Sequence, residues 1–230
     1  MKNYKSIIFD CDGVILNSNE IKTESFRKVL SNFDKNAVNE FINYHKNNGG
    51  ISRYIKLDYF LTQILPKYSE APVSKKDILS SLLADYGEEC KKSLLNCEVA
   101  EDLTNLKALT YNIPWIIVSG GDQKELRDIF KKKNLSKFFN GGIFGSPEKK
   151  IDIIRREEKN GLINYPAIFL GDSKVDYIVA KNLNIDFLFV TQWTDFNDFK
   201  SYCKKNSIDM INSVSDLIGI FEEKNYKSLP

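Results

Sequence analysis

The chain has 230 residues, and its 33 lysines and arginines nearly balance its 31 aspartates and glutamates, giving a formal net charge of +2. So small an excess argues against binding nucleic acid or an anionic membrane through bulk charge. Hydrophobic residues make up 42% and charged residues 28% of the chain, as in packed globular proteins. No run approaches the ~18 apolar residues of a membrane span, and no secretory signal is visible. We therefore expect a cytoplasmic protein that binds neither nucleic acid nor membrane.

Five short apolar runs predict the strands of a parallel sheet. They cover residues 7–10, 115–119, 143–145, 167–172 and 187–191. Continuous β-branched and aromatic runs, rather than alternating ones, are typical of strands buried on both faces. From residue 115 onward they alternate with helical patterns, such as the spacing of Leu126, Ile129 and Phe130. This alternation predicts an α/β fold with a Rossmann-like parallel-sheet core.

The stretch between the first two runs has only helical patterns. These are a stretch around Phe26 and Leu30, then residues 37–47, 53–65 and 75–92, with Pro66 and Pro72 between the last two. A crossover of this length is too long for one connection between parallel strands. We therefore predict a helical cap domain at residues 17–90, inserted into a core formed by residues 1–16 and 91–230.

The first predicted strand ends at Asp10-Cys11-Asp12-Gly13. Two carboxylates two residues apart can direct one carboxylate and one backbone carbonyl at a shared cation, and such oxygen ligands suit Mg²⁺. Asp and Gly are also common in ordinary β-turns, so this segment alone is compatible with a plain turn.

The second predicted strand ends at Ser119-Gly120-Gly121-Asp122. Glycines let the backbone approach an anion closely, and Asp122 with Glu125 has the spacing of a capping box. A helix that begins here directs free N–H groups at the strand end, where they favour a phosphate. A plain strand-to-helix turn is the alternative.

The third predicted strand is followed by Ser146 and Pro147, which have the residue types of an N-cap and a first helical position. Lys150 has isoleucines at i+3 and i+4, so we expect it on the side of the helix that faces the sheet. There its charge could hold a phosphate, although a lysine near a helix start is commonly a solvated surface charge.

Asp172 and Asp176 lie one helical turn apart after the fourth predicted strand. Ligands of open α/β sheets bind at the carboxyl ends of the strands, where all four segments would meet. Together they offer carboxylates, a hydroxyl and a lysine. The charges of these groups predict phosphoryl transfer, in which Mg²⁺ and the lysine neutralise phosphate oxygens while a carboxylate attacks phosphorus.

The set of segments resembles the haloacid dehalogenase superfamily, in the branch whose phosphatases and sugar phosphomutases carry a helical cap between the first two motifs. The four motifs are matched in order by Asp10-x-Asp12-Gly13-Val14, Ser119, Lys150 and Gly171-Asp172-Ser173-x-x-Asp176. The resemblance implies that Asp10 is a nucleophile forming an aspartyl-phosphate. It also implies that Asp12 is the general acid and base, because the superfamily's dehalogenases have a non-acidic residue there.

The resemblance further implies how phosphate and metal are held. Ser119, with the adjacent Gly120, and Lys150 would bind the phosphoryl group. The Mg²⁺ ligands would be Asp10, the backbone carbonyl of Asp12, and Asp172. Asp176 would ligate the ion or lie next to a ligand.

Three residues of the predicted cap are ambiguous. Arg53, preceded by Gly49-Gly50-Ile51-Ser52, would pair with a substrate carboxylate or second phosphate, or else be a solvated arginine after an N-cap at Ser52. Lys22 resembles the hinge residue that contacts the active-site acid in related mutases, but also suits a helix surface. The single histidine, His45, is expected on the cap surface or in a loop.

The sequence thus predicts a Mg²⁺-dependent phosphatase acting on a small phosphorylated metabolite, such as a sugar phosphate or a phosphorylated acid. A sugar phosphomutase of the β-phosphoglucomutase type is the alternative, and a catalytically inactive binding protein is disfavoured by the intact set of polar residues. The sequence leaves the substrate and the oligomeric state open.

Overall fold

A computed structural model describes residues 3–70 and 74–227. Within this part of the chain, one six-stranded sheet has the order β3-β2-β1-β4-β5-β6 with all neighbours parallel. The strands are β1 (Ser6–Phe9), β2 (Trp115–Asp122), β3 (Ile143–Ser146), β4 (Ala167–Gly171), β5 (Asp186–Val190) and β6 (Asp209–Ile211). The predicted parallel α/β core is confirmed. The edge strand β6 was not predicted, because three largely exposed residues give no apolar run.

Both faces of the sheet are covered by apolar side chains. Ile7, Phe9 and Trp115 belong to the core on one face, whereas Ile8 and Ile116 belong to the core on the other. Successive residues of a strand point to opposite faces, so a strand buried on both sides needs an unbroken apolar run. This is why the buried strands could be predicted from the sequence.

The described part of the insertion between β1 and β2 is helical. Its α-helices are α1 (Asn19–Val29), α2 (Lys35–Asn47), α3 (Arg53–Tyr59) and α4 (Lys75–Leu94). The predicted 53–65 helix is less regular than expected, since α3 continues into a π-helical turn (Phe60–Ile64) and a 3-10 turn (Leu65–Lys67). The 3-10 turn contains Pro66, at the predicted break, whereas Pro72 lies outside the described residues.

Aromatic side chains form the centre of the insertion. The ring of Phe26 stacks on Tyr86 at 4.0 Å and meets Phe41 edge-on at 5.1 Å. Phe41 in turn contacts Phe60 at 5.3 Å. These rings come from α1, α2, α4 and the π-helical turn, so they join the helices into one packed unit.

The chain enters and leaves the insertion through adjacent segments. Leu16 and Val99 form an antiparallel bridge. The N–H of Asn17 donates to the carbonyl of Glu98 at 3.0 Å, and the N–H of Ala100 donates to the carbonyl of Ile15 at 2.9 Å. The proposed domain limits at residues 16 and 90 stay predictions; α4 continues through residue 90 to Leu94.

The remaining helices surround the sheet. They are α5 (Leu103–Leu109), α6 (Gln123–Lys132), α7 (Lys150–Lys159), α8 (Lys174–Asn182), α9 (Phe199–Asn206) and α10 (Leu217–Lys227). The described helices include none that is long and apolar enough to cross a bilayer.

The predicted start of the helix after β3 is wrong. Ser146 is the last residue of β3 and pairs with Asp122, and the N-cap of α7 is Lys149. Pairing with β2 keeps Ser146 extended, and a residue that precedes proline is disfavoured in the helical region. The helix therefore begins at Lys150 rather than at Pro147.

Candidate active site

The candidate site lies where the strand order reverses. β1 is flanked by β2 on one side and by β4 on the other. Crevices at the carboxyl ends of strands around such a point are the usual ligand sites of open α/β sheets. Asp10 directly follows β1, Ser119 lies in β2, and Asp172 directly follows β4.

Lys150 joins two carboxylates at the centre of this crevice. Its Nζ lies 2.7 Å from Oδ2 of Asp10 and 2.6 Å from Oδ1 of Asp176. All three side chains are buried. The other carboxylate oxygen of Asp10, Oδ1, accepts a hydrogen bond from the N–H of Cys11 at 2.7 Å. The carboxylate of Asp10 is thus held at one oxygen by the backbone N–H of Cys11 and at the other by Lys150.

Three buried carboxylates surround a common point. One oxygen each from Asp10, Asp172 and Asp176 lie within 4.8 Å of one another. Burial, reinforced by the neighbouring carboxylates, raises the pKa of Asp10 to about 7 against the opposing charge of Lys150. Burial, and then the charges of Asp10 and Asp176, raise the pKa of Asp172 well above its ordinary value. One lysine does not balance three carboxylates, and their all-oxygen donor set fits a divalent cation such as Mg²⁺.

Asp12 points its carboxylate away from this cluster and toward the insertion. Its Oδ1 accepts from the hydroxyl of Ser18 at 2.6 Å, and its Oδ2 lies 2.5 Å from Nζ of Lys22. Burial alone would raise the pKa of Asp12, but Lys22 and Ser18 outweigh it and leave the pKa below its usual value. Lys22 is a buried residue of α1 and not a surface lysine.

Asn19 holds Asp172 in place and was not predicted from the sequence. Its Nδ2 donates to Oδ2 of Asp172 at 2.8 Å and to the carbonyl of Trp193 at 2.8 Å. Gly13 passes so close that a Cβ there would lie 2.1 Å from the same Asp172 oxygen, and its φ is +73°. Glycine alone suits both demands. Asn19 had no motif to reveal it, since the contact spans 153 positions.

The end of β2 is tightly packed against the insertion. The buried hydroxyl of Ser119 accepts from the N–H of Gly121 at 3.0 Å. A Cβ on Gly120 would lie 2.4 Å from the carbonyl oxygen of Gly50 in the insertion. The predicted helix start is confirmed, because Asp122 caps α6 by accepting from the N–H of Glu125 at 2.9 Å.

Arg53 is buried and faces a carboxylate of the core. Its two terminal nitrogens bond the two oxygens of Glu125 at 2.9 and 2.7 Å. The alternative of a solvated arginine is therefore wrong, although the N-cap at Ser52 is confirmed. The hydroxyl of Tyr54 also reaches the core, donating to Oδ2 of Asp122 at 2.8 Å. A role for Arg53 in substrate binding stays a prediction.

The expected exposure of His45 is wrong. The residue lies in α2, is buried, and packs its ring 4.8 Å from that of Phe26. Its Nδ1 lies 2.8 Å from Nζ of Lys56, a buried lysine of α3 that the sequence did not single out. Lysine is rarely found in a protein interior, which is why burial of Lys56 was not expected.

One cavity connects several of these groups. Its walls include Asp10, Asp12 and Asp172 from the core, and Lys22 and Lys56 from the insertion. The cavity measures about 70 Å³ in this arrangement, with the insertion resting on the strand ends. It brings the carboxylates of the core and the cations of the insertion to one enclosed space.

Comparisons with known proteins agree with this geometry. The family model for haloacid dehalogenase-like hydrolases matches residues 7–190. A phosphoglycolate phosphatase of Colwellia psychrerythraea is 23% identical over 215 residues, covering 90% of this chain and 94% of that protein.

Two solved structures share the fold along nearly the whole chain. One is described as a predicted phosphoglycolate phosphatase from Haemophilus somnus, with a TM-score of 0.74, 19% identity and coverage of 96% of this chain and 99% of that one. The other is a β-phosphoglucomutase from Clostridium difficile, with a TM-score of 0.69, 20% identity and 97% coverage of both chains. With the family model spanning most of the chain, this protein belongs to the haloacid dehalogenase-like hydrolases.

Proposed function

We propose that this protein is a Mg²⁺-dependent phosphatase that hydrolyses a small phosphorylated metabolite through an aspartyl-phosphate on Asp10. The observation that carries the proposal is the position of Asp10 at the end of β1, between Lys150 and the carboxylates of Asp172 and Asp176. A nucleophile, a cation and a metal-binding group then share one enclosed crevice. The similarity to a phosphoglycolate phosphatase supports a small substrate.

Asp10, Asp172 and the backbone carbonyl of Asp12 would hold the Mg²⁺, with Asp176 ligating it or orienting Lys150. When bound, the ion would neutralise charge on the phosphate oxygens. Asn19 and Gly13 would fix the orientation of Asp172 through the contacts described above.

The remaining steps belong to residues of the chain. A carboxylate oxygen of Asp10 attacks phosphorus, and the ester oxygen leaves with a proton from Asp12. A water then attacks the phosphorus of the aspartyl-phosphate and gives its proton to Asp12, which releases phosphate and restores Asp10. Ser119, the backbone at Gly120 and Lys150 would hold the phosphoryl oxygens meanwhile.

Asp12 must be protonated for the first step, whereas its contact with Lys22 favours the ionised form. The insertion would therefore have to loosen this contact when substrate binds, so that Asp12 can take up the proton that the first step needs. Movement of the insertion would also admit substrate and release product.

A phosphomutase is the second candidate. The contact of Lys22 with Asp12 favours it. Lys22 engages the carboxylate that would activate water, so the insertion could delay attack by water until a second hydroxyl arrives. The lifetime of the aspartyl-phosphate, measured with and without a sugar phosphate, separates the two. A mutase loses its phosphate slowly to water and rapidly to the sugar phosphate.

Phosphate release from p-nitrophenyl phosphate tests the proposal. We expect release by the wild type with Mg²⁺, none with EDTA, and none by Asp10→Ala. Asp198→Ala, which removes an exposed carboxylate at the start of α9, is the matched control and should keep full activity. Release that persists in Asp10→Ala would rule out Asp10 as the nucleophile.

A further inference from the structure

The insertion contributes an unusual number of cations to the cavity. The four that line it are Lys22, Lys46, Arg53 and Lys56. Three of them have a carboxylate partner within the protein. Lys22 pairs with Asp12 at 2.5 Å, Lys46 with Glu20 at 3.5 Å, and Arg53 with Glu125 at 2.7 Å.

Lys56 differs from the other three. Only 3% of its surface is exposed, and its Nζ contacts Nδ1 and the carbonyl oxygen of His45 at 2.8 and 3.3 Å. Among the described side chains, those of residues 3–70 and 74–222, no carboxylate lies within ion-pair distance of this nitrogen. It is thus a buried amine that lines the cavity without a carboxylate in contact, and Asp12 and Asp195 attract it only from a longer distance.

Such an arrangement is costly for the folded protein. Burial, and then the like charge of Lys22, lower the pKa of Lys56 to about 7. Burial, and then Lys56 itself, keep the pKa of His45 well below its ordinary value. A neutral His45 leaves Nδ1 able to accept a hydrogen bond, which points the amine in a fixed direction without supplying a charge. An anion from outside the protein would complete this group.

We propose that Lys56, oriented by His45, binds a second anionic group of the substrate, a carboxylate or a second phosphate. The protein would then select phosphorylated acids or bisphosphates over phosphate esters of neutral alcohols. This inference rests on the proposed function, which places the first phosphate at Asp10 and Lys150 of the core. Arg53 does not compete for the role in this arrangement, since both oxygens of Glu125 occupy its guanidinium.

Equilibrium binding of non-hydrolysable phosphonates tests the inference without requiring turnover. Three probes share a –CH₂CH₂–PO₃ unit and differ at the other end. They are 3-phosphonopropionate with a carboxylate, ethane-1,2-diphosphonate with a second phosphonate, and 3-hydroxypropylphosphonate with a neutral hydroxyl. Their dissociation constants would be measured by calorimetry, in Mg²⁺, for the wild type, Lys56→Met, Lys56→Arg and the control Lys67→Met. Lys67 is an exposed lysine of the insertion that pairs with Glu40.

We expect the wild type to bind at least one doubly anionic probe ~10–100-fold more tightly than the hydroxyl probe, the size of one hydrogen bond to a charged group. Lys56→Met should remove this preference while keeping affinity for the hydroxyl probe. Lys56→Arg should retain part of it, and Lys67→Met all of it. Whichever doubly anionic probe binds tighter identifies the second group as a carboxylate or a phosphate.

Two results would overturn the inference. One is a wild type that shows no preference among the probes or binds none of them. The other is a preference that survives in Lys56→Met. Because binding is read separately from phosphate release, a wild type that prefers the doubly anionic probes but hydrolyses nothing would contradict the proposed function and not the role of Lys56.

Discussion

The core wall and the insertion wall of the cavity differ in the charged groups that they carry. On the core wall, carboxylates and Lys150 contact one another at the ends of strands whose backbones are fixed by the sheet. On the insertion wall, the charged groups are cations on helices. Lys22 and Arg53 reach across to carboxylates of the core, Lys46 pairs within the insertion, and Lys56 contacts His45. Under the proposed function, the sheet would carry the chemistry, whereas the insertion would carry recognition and closure.

The two walls meet through a few polar contacts. Arg53 and Tyr54 of α3 bond Glu125 and Asp122 at the start of α6, and Lys22 of α1 bonds Asp12. These contacts join the insertion to the core, so they report whether the insertion is closed.

The largest effect is expected on the core wall, from Asp12→Asn. Loss of the acid and base should lower turnover by ~10²–10⁴-fold. With p-nitrophenyl phosphate, whose leaving group needs no proton, the first step should survive and the second should fail. Rapid-quench measurements should therefore show a burst of about one p-nitrophenol per enzyme, followed by slow release.

A substrate with a poor leaving group serves as the control for this variant. With glycerol phosphate no burst is expected, because the alkoxide cannot leave without a proton from Asp12. Equal losses in both steps for both substrates would contradict the assignment of Asp12 as acid and base.

The contact between the walls should respond next, to Glu125→Gln. The substitution leaves Arg53 buried beside a neutral amide, and breaking a buried pair in this way costs about 3 kcal/mol. Urea titration followed by tryptophan fluorescence measures the loss. Asp128→Asn on the same helix is the matched control, since its carboxylate is 36% exposed and pairs with Lys91 and Lys132 at the surface.

Asp128→Asn should change the free energy of unfolding by less than about 1 kcal/mol. If Glu125→Gln costs no more than this control, the contact between Arg53 and Glu125 does not stabilise the closed arrangement.

The smallest effect is expected on the insertion wall, where Lys56→Met should increase stability. The pKa of Lys56 is about 7 in the folded protein against an ordinary 10.5, so the unfolded chain binds the proton more tightly. Stability of the wild type should therefore rise with pH between about 7 and 10.5, as this cost is relieved. Lys56→Met should therefore be more stable than the wild type below pH 7, where this cost is largest.

The advantage of Lys56→Met should shrink as the pH rises, which urea titrations at pH 6, 7.5 and 9 would measure. The groups that act on Lys56 are His45 of α2, Lys22 of α1, Lys150 of α7, and Asp12 and Asp195 from the loops of the core. A constant difference across this range would show that Lys56 does not titrate in the folded protein.

The sequence revealed the core wall better than the insertion wall, for a physical reason. Strands buried on both faces need unbroken apolar runs, and parallel strands bring their carboxyl ends to one edge of the sheet. The positions of Asp10, Ser119 and Asp172 at or next to these strands could therefore be predicted from the sequence. Lys56 and His45 belong to no motif, and their contact depends on how α2 and α3 pack together. The pairing of Arg53 with Glu125 spans 72 positions and depends on how the insertion settles on the core.

The paired crossings at Leu16–Asn17 and Glu98–Val99 have a consequence for how such proteins diversify. Since the chain leaves and re-enters the core at neighbouring points, the intervening segment is in effect a cassette, and a short linker could bridge the gap at little cost in chain entropy. A different segment could therefore be inserted at this point without changing the strands that place Asp10, Ser119 and Asp172.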